Sequence, residues 1–361
     1  MSLGVLRKLR VRSLRKETTE GLVVALEIPQ AFRKSFGFKH GQFLTLEKKI
    51  NSETVRRPYS ICSQAVSEPS SLEIGIKKVP GGLFSSWAHQ ELSVGDELDV
   101  LPPEGDFTSS VNSESSRRYC CIAIGSGITP IMSVLRTVLS EEPRSKVILI
   151  YGNRRASSTM FLDDLGELKN RYMDRLLIQH VFSREQGTSD LLSGRLKGSS
   201  VQTIVERTFE NLQSVEFFIC GPEKAAFEIH GSLQEVGVSD SLIHRELFGF
   251  AGENQANAPV RPDTAEGSSI VSLKYGGRTY EVLFELDHKN ILEAGLEQGL
   301  ELPYSCKAGA CVTCRGVLRE GEVNMGSHHV LDKASLAAGY VLTCQSRPIS
   351  KRILIDFDYK K

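Results

Sequence analysis

Apolar and polar residues alternate in short runs through about residue 112. "GQFLTLEKK", "RPYSICS", "SLEIGIKKV" and "DELDVLPP" are examples, each bounded by turn residues. Period-two runs of this length predict an antiparallel β-barrel, with one short helix at "FSSWAHQEL". The polar stretch "TSSVNSESSRR" reads as a boundary. From Tyr119 the texture changes to solid apolar runs: "YCCIAI", "KVILIYG", "RLLIQHVF" and "VEFFICG". Such runs suit strands buried on both faces of a parallel sheet. Between them lie helical patterns, "PIMSVLRTVLSEE", "TMFLDDLGELKNRY" and "AAFEIHGSLQEVG". Strand and helix in alternation predict a doubly wound α/β domain ending near residue 250.

Residues 251–268, "AGENQANAPVRPDTAEGS", hold no aromatic, Leu or Ile, which is a linker composition. Fully extended they would reach roughly 60 Å at ~3.3 Å per residue. Beyond them "SIVSLKYGGRTYEVLFEL" reads as a hairpin turning at Gly276–Gly277. A short helix follows at "NILEAGLEQG", with Asn290 placed to cap it. A cysteine-bearing loop, a second hairpin at "CRGVLREGEVNM" and a last strand at "RILIDFD" complete a small α+β unit. The expected organisation is therefore 1–112 barrel, 113–250 α/β domain, 251–268 linker and 269–361 α+β domain.

Composition narrows the class. The chain has 361 residues, 40% hydrophobic and 24% charged, as a globular protein does. Forty-four basic residues balance forty-four acidic ones, which argues against nucleic acid as a partner. No apolar run approaches the roughly 20 residues of a membrane-spanning helix. Arg7, Lys8, Arg10 and Arg12 near the start alternate with Leu9 and Val11, as in a half-buried strand. No apolar signal-peptide core follows them, so a reducing, cytoplasmic setting is expected.

Four of the eight cysteines cluster as Cys306-x4-Cys311-x2-Cys314-x29-Cys344. This is the plant-type 2Fe–2S ligand spacing. A ligand loop wrapping a cluster needs small side chains, and this one carries Ser305, Ala308, Gly309, Ala310 and Thr313. A structural zinc site would more often show a C-x2–4-C pair at each end. Cys62, Cys120, Cys121 and Cys220 read as buried small hydrophobes.

Four shorter motifs bear on cofactors. Arg57-Pro58-Tyr59-Ser60 lies on a barrel strand: Arg57 can meet a pyrophosphate, Tyr59 can stack on a flat ring and Ser60 offers a hydroxyl. Taken alone, an Arg-x-Tyr on a strand is usually a solvated Arg and a core Tyr. Gly81-Gly82-Leu83-Phe84-Ser85 precedes a helix, where glycine lets amides approach a phosphate, or where Ser85 simply caps. Gly125-Ser126-Gly127-Ile128-Thr129-Pro130 joins a buried strand to a helix, the setting of a dinucleotide-binding turn. Cys220-Gly221-Pro222 ends another buried strand, where open α/β sheets bind ligands.

In this order these motifs resemble the ferredoxin–NADP reductase superfamily, in its members with a C-terminal plant-type ferredoxin domain. "HGQFLTL", "LIYGNR", "DLLSGR", "ICGP", "CKAGACVTC" and "LAAGYVLTCQ" are most similar to the branch serving phenylacetyl-CoA epoxidases. The resemblance covers nearly the whole chain. It implies a flavin barrel, a nucleotide domain and a β-grasp domain. By position, Arg57, Gly82 and Ser85 would hold the FAD pyrophosphate. Tyr59 would stack on the isoalloxazine and Ser60 would approach its N5. Gly125, Gly127, Thr129 and Pro130 would shape the nicotinamide-nucleotide site. Cys220, with Gly221 and Pro222, would lie near the nicotinamide. "Glu246-Leu247-Phe248" resembles the family's Glu-x-aromatic end, with Phe248 over the other flavin face. Arg154, Ser183 and Arg184 follow strand ends and would receive the 2′-phosphate of NADPH, where an NAD-selective site more often carries a carboxylate. The cluster would sit on Cys306, Cys311, Cys314 and Cys344. The partner implied is a di-iron oxygenase component acting on an acyl-CoA. Other acceptors stay open: another oxygenase, a desaturase or a hybrid-cluster protein. So does a regulatory protein that binds flavin and metal without turnover. "NMGSHHVLD" departs from the branch, and His328 and His329 are expected at the surface.

Overall fold

The computed structural model describes residues 5–187, 189–248, 268–326, 328 and 330–359. These fall into two compact units, one made of Leu6–Val55 and of Tyr59 through the strand that ends at Phe248, the other of the C-terminal residues with Val5 and Arg56–Pro58.

The first unit opens with six strands: β1 (Arg7–Lys16), β2 (Gly21–Glu27), β3 (Phe43–Ile50), β4 (Glu53–Ser60), β5 (Ser71–Lys77) and β6 (Glu97–Val100). Helix α1 (Leu83–Gln90) lies between the last two. The antiparallel order is β4-β3-β6-β1-β2-β5. Ile61, one residue past β4, bridges Ile74 on β5, so the two edges meet and the sheet closes. Leu9, Val11, Leu44, Leu46, Ile74, Ile76, Leu98 and Val100 alternate inward to fill it. β2 departs from alternation because both of its faces are covered: Val24 faces the barrel core and Val23 joins the core of the next lobe.

That lobe alternates β7 (Arg118–Ile124), α2 (Ile128–Glu141), β8 (Lys146–Asn153), α3 (Leu162–Arg171), β9 (Leu176–Phe182), α4 (Gly198–Thr208), β10 (Val215–Pro222), α5 (Glu223–Glu235) and β11 (Ile243–Phe248). All five strands are parallel in the order β11-β10-β7-β8-β9. The order reverses between β7 and β10, which leaves a crevice beyond their carboxyl ends. α4 and β11 carry no strong periodic signal and are not anticipated from the sequence pattern.

Charged side chains fasten barrel to lobe. Arg136 on α2 donates to the Cys62 carbonyl at 2.7 Å and pairs with Glu73 of β5 at 3.2 Å and with Asp164 of α3. Arg15 of β1 meets the same Asp164 at 2.8 Å. Glu17 accepts from the Phe161 amide at 2.7 Å, holding Phe161 in a left-handed conformation at φ 60°. Under the first strand of the lobe, Glu142 is fully buried yet satisfied by Arg117, Tyr119, Ser145 and the Asn112 amide.

The second unit contains β12 (Ser269–Tyr275), β13 (Arg278–Phe284), α6 (Ile291–Glu297), β14 (Arg315–Glu320), β15 (Val323–Met325), α7 (Lys333–Ala337), β16 (Tyr340–Leu342), β17 (Ser346–Pro348) and β18 (Arg352–Asp356). β12 and β13 turn through Gly276 and Gly277, both at positive φ as a two-residue hairpin turn requires. Asn290 caps α6 by accepting from the Glu293 amide at 2.9 Å. The main sheet runs β13-β12-β18-β14-β16 and mixes parallel with antiparallel pairs. One expectation is corrected. "CRGVLREGEVNM" is not a hairpin: β14 pairs with β16 and β18, and β15 pairs with β17. The turn at Gly321 (φ 81°) presses on the Arg352 carbonyl, which lies 2.3 Å from where a Cβ would stand. β18 thus fills the place that β15 would take. Among the described residues no helix is long and apolar enough to cross a membrane.

Candidate functional site

At the strand-order reversal, β7 is followed by Gly125, whose φ of 57° turns the chain into α2. Gly127 packs so tightly that a Cβ would stand 2.1 Å from the Cys220 carbonyl oxygen. Thr129 and Pro130 are buried in the first turn of α2, and the Thr129 hydroxyl donates to the Ser126 carbonyl at 3.0 Å. They shape the turn from beneath. Tyr151 fixes it from β8, donating to the Gly125 carbonyl at 3.2 Å. Gly221 abuts Ile124, and Pro222 pairs with Phe248 at the end of β11. Phe248 is half-buried against the core of the lobe.

Three side chains meet beside this crevice. Glu246 of β11 accepts from the Ser60 hydroxyl of β4 at 3.2 Å, and the Cys220 thiol of β10 points at the same oxygen at 3.9 Å. Burial pushes the Glu246 carboxyl up to about 8, against the opposing pull of Ser60 and Cys220. At neutral pH it therefore holds its proton. Burial, then Glu246, raises the Cys220 thiol well above its ordinary range, so it is a neutral donor rather than a thiolate. Glu246 stands in the family motif, but its meeting with Ser60 cannot be read from sequence.

Tyr59 precedes Ser60 and packs 5.5 Å from Phe84 of α1. Arg57 donates to the Arg56 carbonyl at 2.7 Å. Ahead of α1, a Cβ on Gly82 would stand 2.8 Å from the Ser85 hydroxyl. That hydroxyl accepts from the Val79 amide at 3.1 Å and donates to the Gly82 carbonyl at 3.4 Å. Ser85 thus ties the glycine loop to the helix start. A half-buried aromatic, a crowded glycine loop and a neutral carboxyl with a hydroxyl form a set that fits a flavin.

A cleft of about 150 Å³ opens beyond Gly125, lined by Lys77, Arg154, Arg155 and Arg184, with Glu20, Ser158 and two threonines. Four cations against one carboxylate suit a phosphorylated ligand. The Arg184 amide donates to the Arg154 carbonyl at 2.9 Å, which draws the two loops together. Ser183 donates its amide to Asn153 and does not line the cleft. Lys77 and Arg155 are additions that the sequence motifs do not single out. The Lys77 ammonium lies 3.7 Å from where a Cβ on Gly125 would stand, and burial lowers its pKa. It is therefore poised over the glycine turn.

In the C-terminal unit the cysteine loop turns on three positive-φ residues, Lys307 (54°), Gly309 (75°) and Val312 (51°). Such turns point successive amides inward, as anion nests do. The Ala308 and Ala310 amides donate to the Cys306 sulfur at 3.3 and 3.4 Å, and the Cys306 amide donates to the Cys311 sulfur at 3.3 Å. Cys306 is drawn below the ordinary thiol range and Cys311 pushed above it by their mutual hydrogen bond, and Cys344 and Cys314 divide in the same way. The sulfurs thus interact as two pairs. A loop whose amides point at its sulfurs, with the Cys306-x4-Cys311-x2-Cys314 spacing, fits a two-iron cluster. Cys62, Cys120, Cys121 and Cys220 are fully buried. His328 is half-buried, its ring nitrogen 2.6 Å from the Gly326 carbonyl, and His329 lies outside the described residues.

Known proteins agree with this layout. Residues 10–109 match the oxidoreductase FAD-binding domain, 121–228 the oxidoreductase NAD-binding domain and 274–348 the 2Fe-2S iron-sulfur cluster binding domain. The chain is 36% identical over 353 residues to a component of the 1,2-phenylacetyl-CoA epoxidase of Escherichia coli (strain K12), covering 98% of each. It is 30% identical over 358 residues to the ferredoxin reductase component of 3-ketosteroid-9-alpha-monooxygenase from Rhodococcus rhodochrous, covering 97% of this chain and 96% of that one. Phthalate dioxygenase reductase superposes with a TM-score of 0.62 at 23% identity, covering 98% of both chains, and carries the fold likeness.

Proposed function

Because the chain belongs to the reductase components of multicomponent oxygenases, which join FAD-binding, NAD-binding and 2Fe–2S domains, we propose that it draws electrons from NADPH and delivers them to a di-iron oxygenase acting on phenylacetyl-CoA. The observation that carries the redox reading is the buried Glu246 carboxyl, shared by Ser60 and Cys220 beside the strand-order reversal.

In this reading the domains are 1–112, 113–250 and 269–361, joined by 251–268. FAD held here would supply hydride acceptance and single-electron release, and a 2Fe–2S centre one-electron carriage. The chain's own residues bind and orient. Arg57, Gly82 and Ser85 hold the flavin pyrophosphate, Tyr59 and Phe248 cover the two ring faces, and Ser60 reaches its N5. Protonated Glu246 orients the Ser60 hydroxyl and is the proton source nearest to it. Neutral Cys220, with Gly221 and Pro222, borders the nicotinamide. Gly125, Gly127, Thr129 and Pro130 shape the nucleotide turn. Arg154 and Arg184 receive the 2′-phosphate, Ser183 holds their loop and Lys77 adds charge over the turn. Cys306, Cys311, Cys314 and Cys344 hold the cluster. One NADPH and two oxidised acceptor centres give NADP⁺, one proton and two reduced centres.

Unpaired cysteines suit a reducing compartment, and we assign the chain to the cytoplasm. The identity to the Escherichia coli epoxidase component supports the epoxidase as acceptor. The steroid-monooxygenase relative favours a second reading, another oxygenase. Reconstitution distinguishes them: NADPH-coupled product with a phenylacetyl-CoA oxygenase is expected. Coupling only to a different oxygenase would move the partner and leave the reductase standing. Anaerobic NADPH that bleaches neither flavin nor iron–sulfur absorption would favour a protein that binds both without turnover.

A further inference from the structure

We propose that Gln345 is a positioning residue that raises the reduction potential of the 2Fe–2S centre by donating a hydrogen bond to the Cys344 sulfur. Its side-chain nitrogen stands 3.5 Å from that sulfur, 2.9 Å from the Cys344 carbonyl and 3.3 Å from the Lys307 carbonyl. Three acceptors surround it, so the amide must present its N–H groups there; the flipped amide would set an oxygen against all three. The contact to Lys307 spans 38 residues and reaches the far limb of the ligand loop. One amide therefore clasps Cys344 to the segment that follows Cys306, at a residue held in the left-handed region at φ 54°.

The effect on potential follows from charge. Adding an electron to the centre increases the negative charge on its thiolates. A donor aimed at one thiolate then binds the reduced form more strongly than the oxidised form, and hydrogen bonds to the sulfurs are among the determinants of iron–sulfur potentials. Gln345 is only half-buried, and Cys344 is buried. The bond therefore lies where water screens it incompletely. The backbone amides around Cys306 and Cys311 cannot be removed by substitution, whereas Gln345 can. It is thus a point at which this chain sets how readily electrons leave the flavin for the centre. The inference rests on the cysteine assignment proposed above; iron and acid-labile sulfide measured on the unaltered chain test that assignment separately.

The test uses the full chain carrying FAD and cluster. Gln345→Met keeps the length of the side chain and removes its N–H groups. A redox titration on the iron–sulfur absorption should show the reduction equilibrium moved about tenfold toward the oxidised centre, equivalent to ~59 mV for one electron. Resonance Raman spectra in H₂O and D₂O should lose part of the deuterium shift of the iron–cysteine stretches. An unchanged midpoint at full iron and sulfide content overturns the proposal. If the Met variant loses iron, Gln345→Leu decides: it too is uncharged and has no N–H to give. A lowered midpoint supports the proposal, and an unchanged or raised one overturns it. Loss of iron from both variants would leave Gln345 a purely structural role and overturn it as well.

Discussion

In the C-terminal unit, Cys306, Cys311 and Cys314 come from a loop of nine residues whose own amides turn toward the sulfurs. In the first unit, Ser60, Cys220 and Glu246 reach their meeting point on three strands, the outer two residues 186 positions apart in sequence. The loop satisfies negative charge locally, with backbone donors. The three-strand site does the reverse: it buries a carboxyl that has no counter-ion among the described residues, and burial keeps the proton on. One site suits ligands that must stay ionised. The other suits a group that must keep a proton at neutral pH. Substitutions in the two should therefore fail in different ways.

The largest separation is expected from Cys314→Ser, which removes a ligand from the buried end of the loop. Reduction of cytochrome c or of the oxygenase should collapse, while NADPH-driven reduction of ferricyanide, drawn from the flavin, should persist. Loss of flavin from this variant would break the comparison, because the two sites would then depend on one another.

Next comes Glu246→Gln, which keeps the shape and removes the titrating proton. Flavin reduction by NADPH in stopped flow should slow by about 10²-fold, within the range of general acid–base effects. Stability should change with pH in a defined direction. The folded pKa of about 8 lies above the ordinary 4.5, so the folded state binds more protons between those values. Stability from this group is full below the lower value and falls as pH rises to the upper one, by ~1.4 kcal/mol per unit. Urea melts of wild type and variant should agree below pH 4.5 and diverge as pH rises toward 8, the wild type losing stability while the neutral Gln variant does not. A parallel pH dependence in both would show that Glu246 is ionised in the fold.

These two sites also differ in how far the sequence discloses them. Cys306-x4-Cys311-x2-Cys314 is legible because ligand spacing and loop chemistry lie side by side in the chain. Gly276–Gly277 and Asn290 are legible for the same reason, since turn and cap chemistry is local. The Glu246–Ser60 contact is not, because it depends on β11 and β4 being brought together by the packing of lobe on barrel. Lys77 gives no signal either: a lysine ending a strand is ordinary, and only the fold sets it over Gly125. The misjudged hairpin after β14 has a related cause. Local alternation is satisfied by β15, but β18 is the better partner and is distant in sequence.

Arg184→Ala probes the cationic cleft, which combines both kinds of construction: Arg154 and Arg184 follow strand ends, and Lys77 arrives from the barrel. A charge-assisted contact is worth about 1.5–3 kcal/mol, or roughly 10- to 150-fold in affinity. Steady-state kinetics should show that loss for NADPH, with NADH nearly unchanged. Equal losses for both nucleotides would mean that Arg184 holds the loop rather than the 2′-phosphate.

The smallest expected effect is also the most local. Asn290 accepts from the Glu293 amide and starts α6, whose buried Ile291, Leu292 and Ala294 pack in the same core as Cys314 and Cys344. Asn290→Ala leaves that amide without its cap, at a cost of ~1 kcal/mol. In a unit of this size that corresponds to a fall in Tm of about 4–8 °C. Thermal bleaching of the iron–sulfur absorption should shift by that amount, while the release of flavin fluorescence stays at its original temperature. If both transitions move together, the two units unfold as one, and the contrast between a locally built and a distantly assembled site does not extend to their stabilities.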